Sequence, residues 1–86
     1  MRNFITAYLM TLICDKDIVF ESNSYKYGSG DGSVVKIFGK LRSGLADMSI
    51  TRLRPDGTAI SSIPVFGMPI NKEVINSLAD LAVNSL

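Results

Sequence analysis

From Phe4 to Cys14 the chain carries no charge, no glycine and no proline. A bilayer crossing takes about 20 apolar residues, so the run predicts no transmembrane segment and has to be buried within or between folded chains. It is rich in Ile, Thr and Tyr and reads as a strand, although periodicity alone does not separate a buried strand from a buried helix. Alternation puts Phe4, Thr6, Tyr8, Met10, Leu12 and Cys14 on one face and Ile5, Ala7, Leu9, Thr11 and Ile13 on the other. Both faces are apolar, so a strand here needs cover on both sides. Arg2 ahead of the run resembles the start of a short signal peptide. No small-residue cleavage pattern follows, and Thr11-Leu12-Ile13 leads into Cys14 where a lipoprotein signal has a small residue. The strand reading fits better, and the expected location is cytoplasmic.

The remaining punctuation is that of a small antiparallel protein. Asp15-Lys16-Asp17 reads as a turn, and Ile18 to Tyr27 as the returning strand of a hairpin. Gly28-Ser29-Gly30-Asp31-Gly32 is the clearest break, with Asp31-Gly32 suited to positive φ. Ser33 to Lys40 is a third strand, Leu41 to Leu45 a loop, and Asp47 to Arg54 a fourth strand. In Pro55-Asp56-Gly57, Pro presets φ, Asp bonds its own backbone and Gly takes the left-handed position of a turn. Thr58 to Phe66 is a fifth strand, which Pro64 assigns to a sheet edge or a strand end. After Gly67 and Pro69 the chain becomes helical. Asn71 is the N-cap, Glu73 lies in the first turn, and Val74, Ile75, Leu78, Ala79, Leu81, Ala82 and Leu86 form the apolar stripe. The expected fold is α+β: one domain over residues 1–86, a meander of four to five antiparallel strands, and one C-terminal helix packed on one face.

A single helix covers only one side of such a sheet. The second apolar face of the first strand, with Leu9, Thr11 and Ile13, is therefore expected to meet a second copy in a homodimer. Composition agrees with that need: 47% of the 86 residues are apolar, and a domain this small has little interior to hide them in.

Catalytic sets are hard to assemble from these residues. There is no His, so neither a Ser-His-Asp triad nor an imidazole base is available, and the one Cys allows no internal disulfide and no Cys/His zinc site. The glycine loop leads into Val34-Val35-Lys36-Ile37, a strand, whereas phosphate loops open into a helix. Ser33-Val34-Val35-Lys36 matches Ser-x-x-Lys, but on a strand positions three apart point to opposite faces. Cys14 ends an apolar run with nothing nearby to lower its pKa. Asp15, Asp17 and Glu21 lack the spacing of a Ca²⁺ loop. No catalytic residue, metal ligand or cofactor is expected.

Charge is unevenly placed. The net charge is +1, and that near-neutrality counts against a DNA mimic, which is strongly acidic, and against a strongly basic nucleic-acid coat. Residues 26–54, however, hold Lys26, Lys36, Lys40, Arg42, Arg52 and Arg54 against only Asp31 and Asp47, a balance of +4. Tyr25, Tyr27 and Phe38 lie among these cations, and Lys36, Phe38 and Lys40 share a strand face. These nine residues are the expected contact surface, with Arg52 and Arg54 as its anchors because Arg is favoured at hot spots. The expected function is that of a small non-enzymatic regulator or inhibitor binding a larger protein. Cations beside aromatics also suit a nucleic acid or nucleotide. A structural subunit of a larger assembly is the third reading, in which a charge at Leu9 or Leu12 dissolves the oligomer.

Overall fold

The apolar run at the start of the chain is a helix. In the computed structural model, which describes residues 1–14 and 16–86, α1 spans Arg2–Met10. Its buried positions are Ile5 and Leu9, with Leu12 following in the turn beyond, a spacing of four and then three that only a helix puts on one side. The strand expected over 4–14 is thereby corrected, and the helices number two. The expected turn at Asp15-Lys16-Asp17 lies partly on Asp15, outside the described residues.

Five strands follow: β1 at Ile18–Glu21, β2 at Tyr25–Lys26, β3 at Val34–Arg42, β4 at Leu45–Leu53 and β5 at Ala59–Pro69. All pair antiparallel in the order β1-β3-β4-β5, with β2 alongside β1 on the same edge of β3. The expected continuous strand over 18–27 is therefore broken. At the break Ser22 is buried. Its N–H donates to the Ile37 carbonyl at 2.7 Å and its hydroxyl accepts from the Ile37 N–H at 2.8 Å, so a side chain supplies one half of a ladder pair. The expected loop over 41–45 shrinks to two residues. Arg42 pairs with Leu45, and Ser43 and Gly44 both take positive φ (54° and 76°), the backbone of a tight hairpin turn. The Pro55-Asp56-Gly57 turn forms as expected, with the Gly57 N–H on the Arg54 carbonyl.

β5 lies at the sheet edge, consistent with Pro64, and runs on to Pro69 through a bulge. There Phe66 and Gly67 together oppose Asp47, whose Oδ1 accepts from the Gly67 N–H at 2.7 Å. The last helix, α2, spans Lys72–Ser85 and starts at Asn71, whose side chain accepts from the Val74 N–H. Leu81, expected in its apolar stripe, is half-exposed, whereas Ile75, Leu78, Ala79 and Ala82 are buried.

Both helices pack on the same face of the sheet. One cluster joins Ile5, Leu9 and Leu12 to Val35, Ile37, Leu41, Met48, Ile50 and Val65 and to Ile75, Leu78, Ala79 and Ala82. Register confirms a single inward face, since Ile37 sits opposite Ile50, and Ile50 opposite Ile63. α1 reaches the β1–β2 edge through a Phe4–Tyr25 ring stack (centroids 5.0 Å apart) and a tilted Tyr8–Phe20 pair. Arg2 ties it to α2, donating to Asp80 at 2.8 Å and to Asn76 at 3.1 Å. No described helix is long and apolar enough to cross a membrane.

Inside β3, Gly39 sits where the chain has no room for a side chain. A Cβ there would lie 2.6 Å from Met48 Cβ and closer still to the Asp47 carbonyl oxygen. Gly39→Ala is therefore expected to destabilise, although replacing a strand glycine ordinarily helps. Overpacking of this kind costs about 1–3 kcal/mol, which lowers the melting temperature by at least about 4 °C in circular-dichroism melts.

Candidate functional site

With both helices on one side, the opposite face of the sheet is open. Alternation sends Lys36, Phe38, Lys40 and Arg42 of β3 to it. Register then orders the surface in rows across the strands. Val19, Lys40 and Asp47 form one row, closed by Phe66 on the β5 bulge; Glu21, Phe38, Ser49 and Pro64 form the next; Lys36, Thr51 and Ser62 form a third. Val19 is 88% exposed and Phe66 79%, with Phe38 and Leu45 partly so. Val19 and Phe66 stand at the two ends of their row, with Lys40 and Asp47 between them, while Phe38 lies in the next row. A shallow depression of about 670 Å³ lies among Val19, Glu21, Phe38, Lys40 and Asp47. Beside it runs a strip of hydroxyls, with Ser62 Oγ 3.1 Å from Ser49 Oγ and 3.0 Å from Thr51 Oγ1.

The charges of this face nearly balance, with Lys26, Lys36, Lys40 and Arg42 against Asp17, Glu21 and Asp47. Three carboxylates lie on it or at its rim: Glu21 with Lys36 Nζ at 3.4 Å, Asp47 opposite Lys40 and accepting from the Gly67 N–H, and Asp17 beside Lys40 and Arg42, accepting from the Ser43 N–H. Among the described residues no ion pair includes Lys26, Lys40 or Arg42, all exposed on this side.

The nine expected contact residues thus divide. Lys26, Lys36, Phe38, Lys40 and Arg42 stand together on the open face. Tyr25, Tyr27 and Arg52 belong elsewhere. Tyr25 stacks on Phe4, and the Arg52 guanidinium lies 3.7 Å from the Tyr27 ring centroid. Arg52 Nε donates to Ser33 Oγ at 3.0 Å, Nη1 to the main-chain oxygen of Leu86 at 3.0 Å, and Nη2 to Ser29 Oγ and to Asp31 Oδ2 at 2.7 Å. This Arg is an internal clasp that fastens the glycine loop and the end of α2 to β4. Arg54 is exposed beside the β4–β5 turn, where it donates to Thr58 Oγ1 and the Ala59 carbonyl.

The expectation of a homodimer rests on a two-sided strand at 4–14, and the helix there removes that ground. Leu9 is fully buried inside the chain, while Thr11 and Ile13 are exposed beyond the end of α1. Leu12 is also interior, so a charge at Leu9 or Leu12 would unfold the chain before it tested an assembly. Two residues of the open face escape a charge-based search, Val19 and Phe66. In Ile18-Val19-Phe20-Glu21 the period of two would have found Val19 once Phe20 was placed in the core. Phe66 had no such signal, because a bulge shifts its register. Among the described residues no three His, Cys, Asp or Glu side chains come together as a metal site.

The clasp makes a pH prediction. Hydrogen bonds from the Ser33 hydroxyl, then from the Ser33 N–H and the Ser29 hydroxyl, with the Arg52 charge, hold the Asp31 carboxyl well below the usual carboxylate range. A carboxylate whose folded pKa is depressed stabilises the fold above its unfolded pKa of about 3.9, and that stability is lost as pH falls below it. Asp31→Asn should therefore lower stability at neutral pH and flatten its decline below pH of about 4. Arg52→Ala should lower the melting temperature by at least about 4 °C. Thermal melts across pH check both.

Comparison with known protein families, with curated proteins and with solved structures finds no match to this chain.

Proposed function

We propose that this chain is a non-enzymatic binding protein that docks a larger protein on the open face of its sheet and acts by covering that partner's surface. The observation that carries the reading is the pair Val19 and Phe66, at 88% and 79% exposure, set at the two ends of one row of the sheet. Exposed apolar anchors beside an apolar depression and a polar rim are the composition of a protein contact. Phe38, flanked on the same face by Lys36 and Lys40, favours a second reading, in which bases of a single-stranded nucleic acid stack on the ring. The protein reading is preferred because Val19, Leu45 and Pro64 offer aliphatic contact that phosphates and bases do not use.

Photo-crosslinking separates the two. A photoreactive side chain at position 38 or 66 should give a protein adduct, and one at Leu81 on the far side of the molecule should not. Once that protein is in hand, Val19→Ala and Phe66→Ala should each weaken its binding by about 1–2 kcal/mol without changing the melting temperature. Nucleic-acid adducts, with affinity falling steeply as salt rises, would establish the second reading instead.

A further inference from the structure

From β1 to β5, one row of the open face reads apolar, positive, negative, apolar: Val19, Lys40, Asp47 and Phe66. Turned end for end, it reads Phe66, Asp47, Lys40 and Val19. Laid on its own reverse, the row sets Lys40 over Asp47 and Val19 over Phe66. A surface that complements its own reversed copy meets the requirement of a two-fold interface, where every contact is made twice.

The charges also select the axis. A two-fold laid along this row would stack Lys40 on Lys40 and Asp47 on Asp47. A two-fold along the strands, midway between β3 and β4, stacks Lys40 of each copy on Asp47 of the other, and the four charges alternate in sign around a square. The neighbouring rows agree. The same axis sets Phe38 over Ser49, Lys36 over Thr51 and Arg42 over Leu45, and in none of these rows do like charges meet. Packed sheets cross at about 30°, so the matching is closest where they cross, at the four charges. Resting on the proposed docking face, we infer that two copies of this chain cover each other's open face about this axis. Covering Val19 and Phe66 supplies the apolar contact, and the charge square fixes the orientation. A larger partner then has to displace a copy before it docks, so by mass action the chain masks its own docking surface as its concentration rises. Pairing of copies edge to edge is the poorer geometry. β5 carries Pro64 and a bulge, and the opposite edge is interrupted at Ser22.

Sedimentation over a wide concentration range reads the assembly, and a dimer is expected. A mixture of isotope-labelled and unlabelled chain reads the axis. Isotope-filtered NOEs are expected between the Val19 methyls of one copy and the Phe66 ring of the other. Within one chain these residues stand three strand spacings apart, about 14 Å, so the contact belongs to the pair. Lys40→Glu turns both attractions of the square into repulsions and should weaken the dimer about tenfold at low salt and less at high salt. Asp47→Asn keeps an acceptor for the Gly67 N–H, and added to Lys40→Glu it should recover part of that loss. Circular dichroism of the dilute chain checks that both variants stay folded. A monomer at every concentration overturns the inference and leaves the docking face standing. A dimer that Lys40→Glu does not weaken, or that lacks the Val19–Phe66 contact, overturns the axis. A larger partner that binds without dissociating the dimer overturns the masking. Adducts at positions 38 and 66 of only twice the chain's mass support the dimer and remove the larger partner.

Discussion

The sheet has two faces, and both helices lie against one of them. α1 covers the β1–β2 edge through Phe4, Ile5 and Tyr8, and α2 lies at the β5 side through Ile75, Leu78 and Ala82. Arg2 fastens the two helices to each other at Asp80 and Asn76. Every inward residue of β3 and β4 between Val35 and Ile50 is thereby drawn into one core. The outward residues of the same strands are left in solvent by the same arithmetic of alternation. The open face is therefore a consequence of how the core is closed, and its contents are free of the packing constraints that fix Ile37 or Ile50.

That freedom shows in which residues occupy it. A face that merely has to be wet would carry hydroxyls and charges of both signs, as the Ser49, Thr51 and Ser62 strip does. Val19 and Phe66 do not fit that description, because exposing such groups forgoes about 25 cal/mol for each Å² left uncovered. The edges of the sheet, by contrast, are guarded. Ser22 replaces a ladder pair on one side; Pro64 and the Asp47–Gly67 bulge interrupt the other. Blunted edges on both sides favour a partner that lies on the sheet over one that extends it.

Much of the sheet was legible in the sequence because turns are local chemistry. Pro55-Asp56-Gly57 and the glycine loop announced themselves by residues that tolerate or preset unusual φ, and the alternation of β3 followed from the Val, Ile and Lys between them. The Asn71 cap and the stripe after it gave α2 for the same reason. The first helix was misread because an apolar run supports two periods at once. Ile5, Leu9 and Leu12 satisfy the helical spacing, yet Thr6, Tyr8 and Met10 make the alternating pattern equally apolar, and only packing chooses between them. For the candidate site, Lys36, Phe38 and Lys40 were placed correctly on one face by period two alone. Arg52 was not, because its role depends on Asp31, Ser33 and Leu86, residues between 19 and 34 positions away in the chain that local reading has no means of bringing together.

Arg52 and the cations on the other side of the sheet differ in how they could contribute to the proposed docking. Arg52 has Nε, Nη1 and Nη2 committed to oxygens of its own chain and its plane against Tyr27, so recruiting it to a partner would first break the clasp. Lys40 and Arg42 make no ion pair within 4 Å among the described residues, although Asp47 stands opposite Lys40 and Asp17 beside Arg42. Both cations are exposed, and an exposed ion pair is worth about 0–1 kcal/mol. In the proposed docking their effect would fall on orientation and on the rate of encounter, while the energy would come from covering Val19, Phe38 and Phe66. The two contributions separate experimentally because salt screens the first and leaves the second almost untouched.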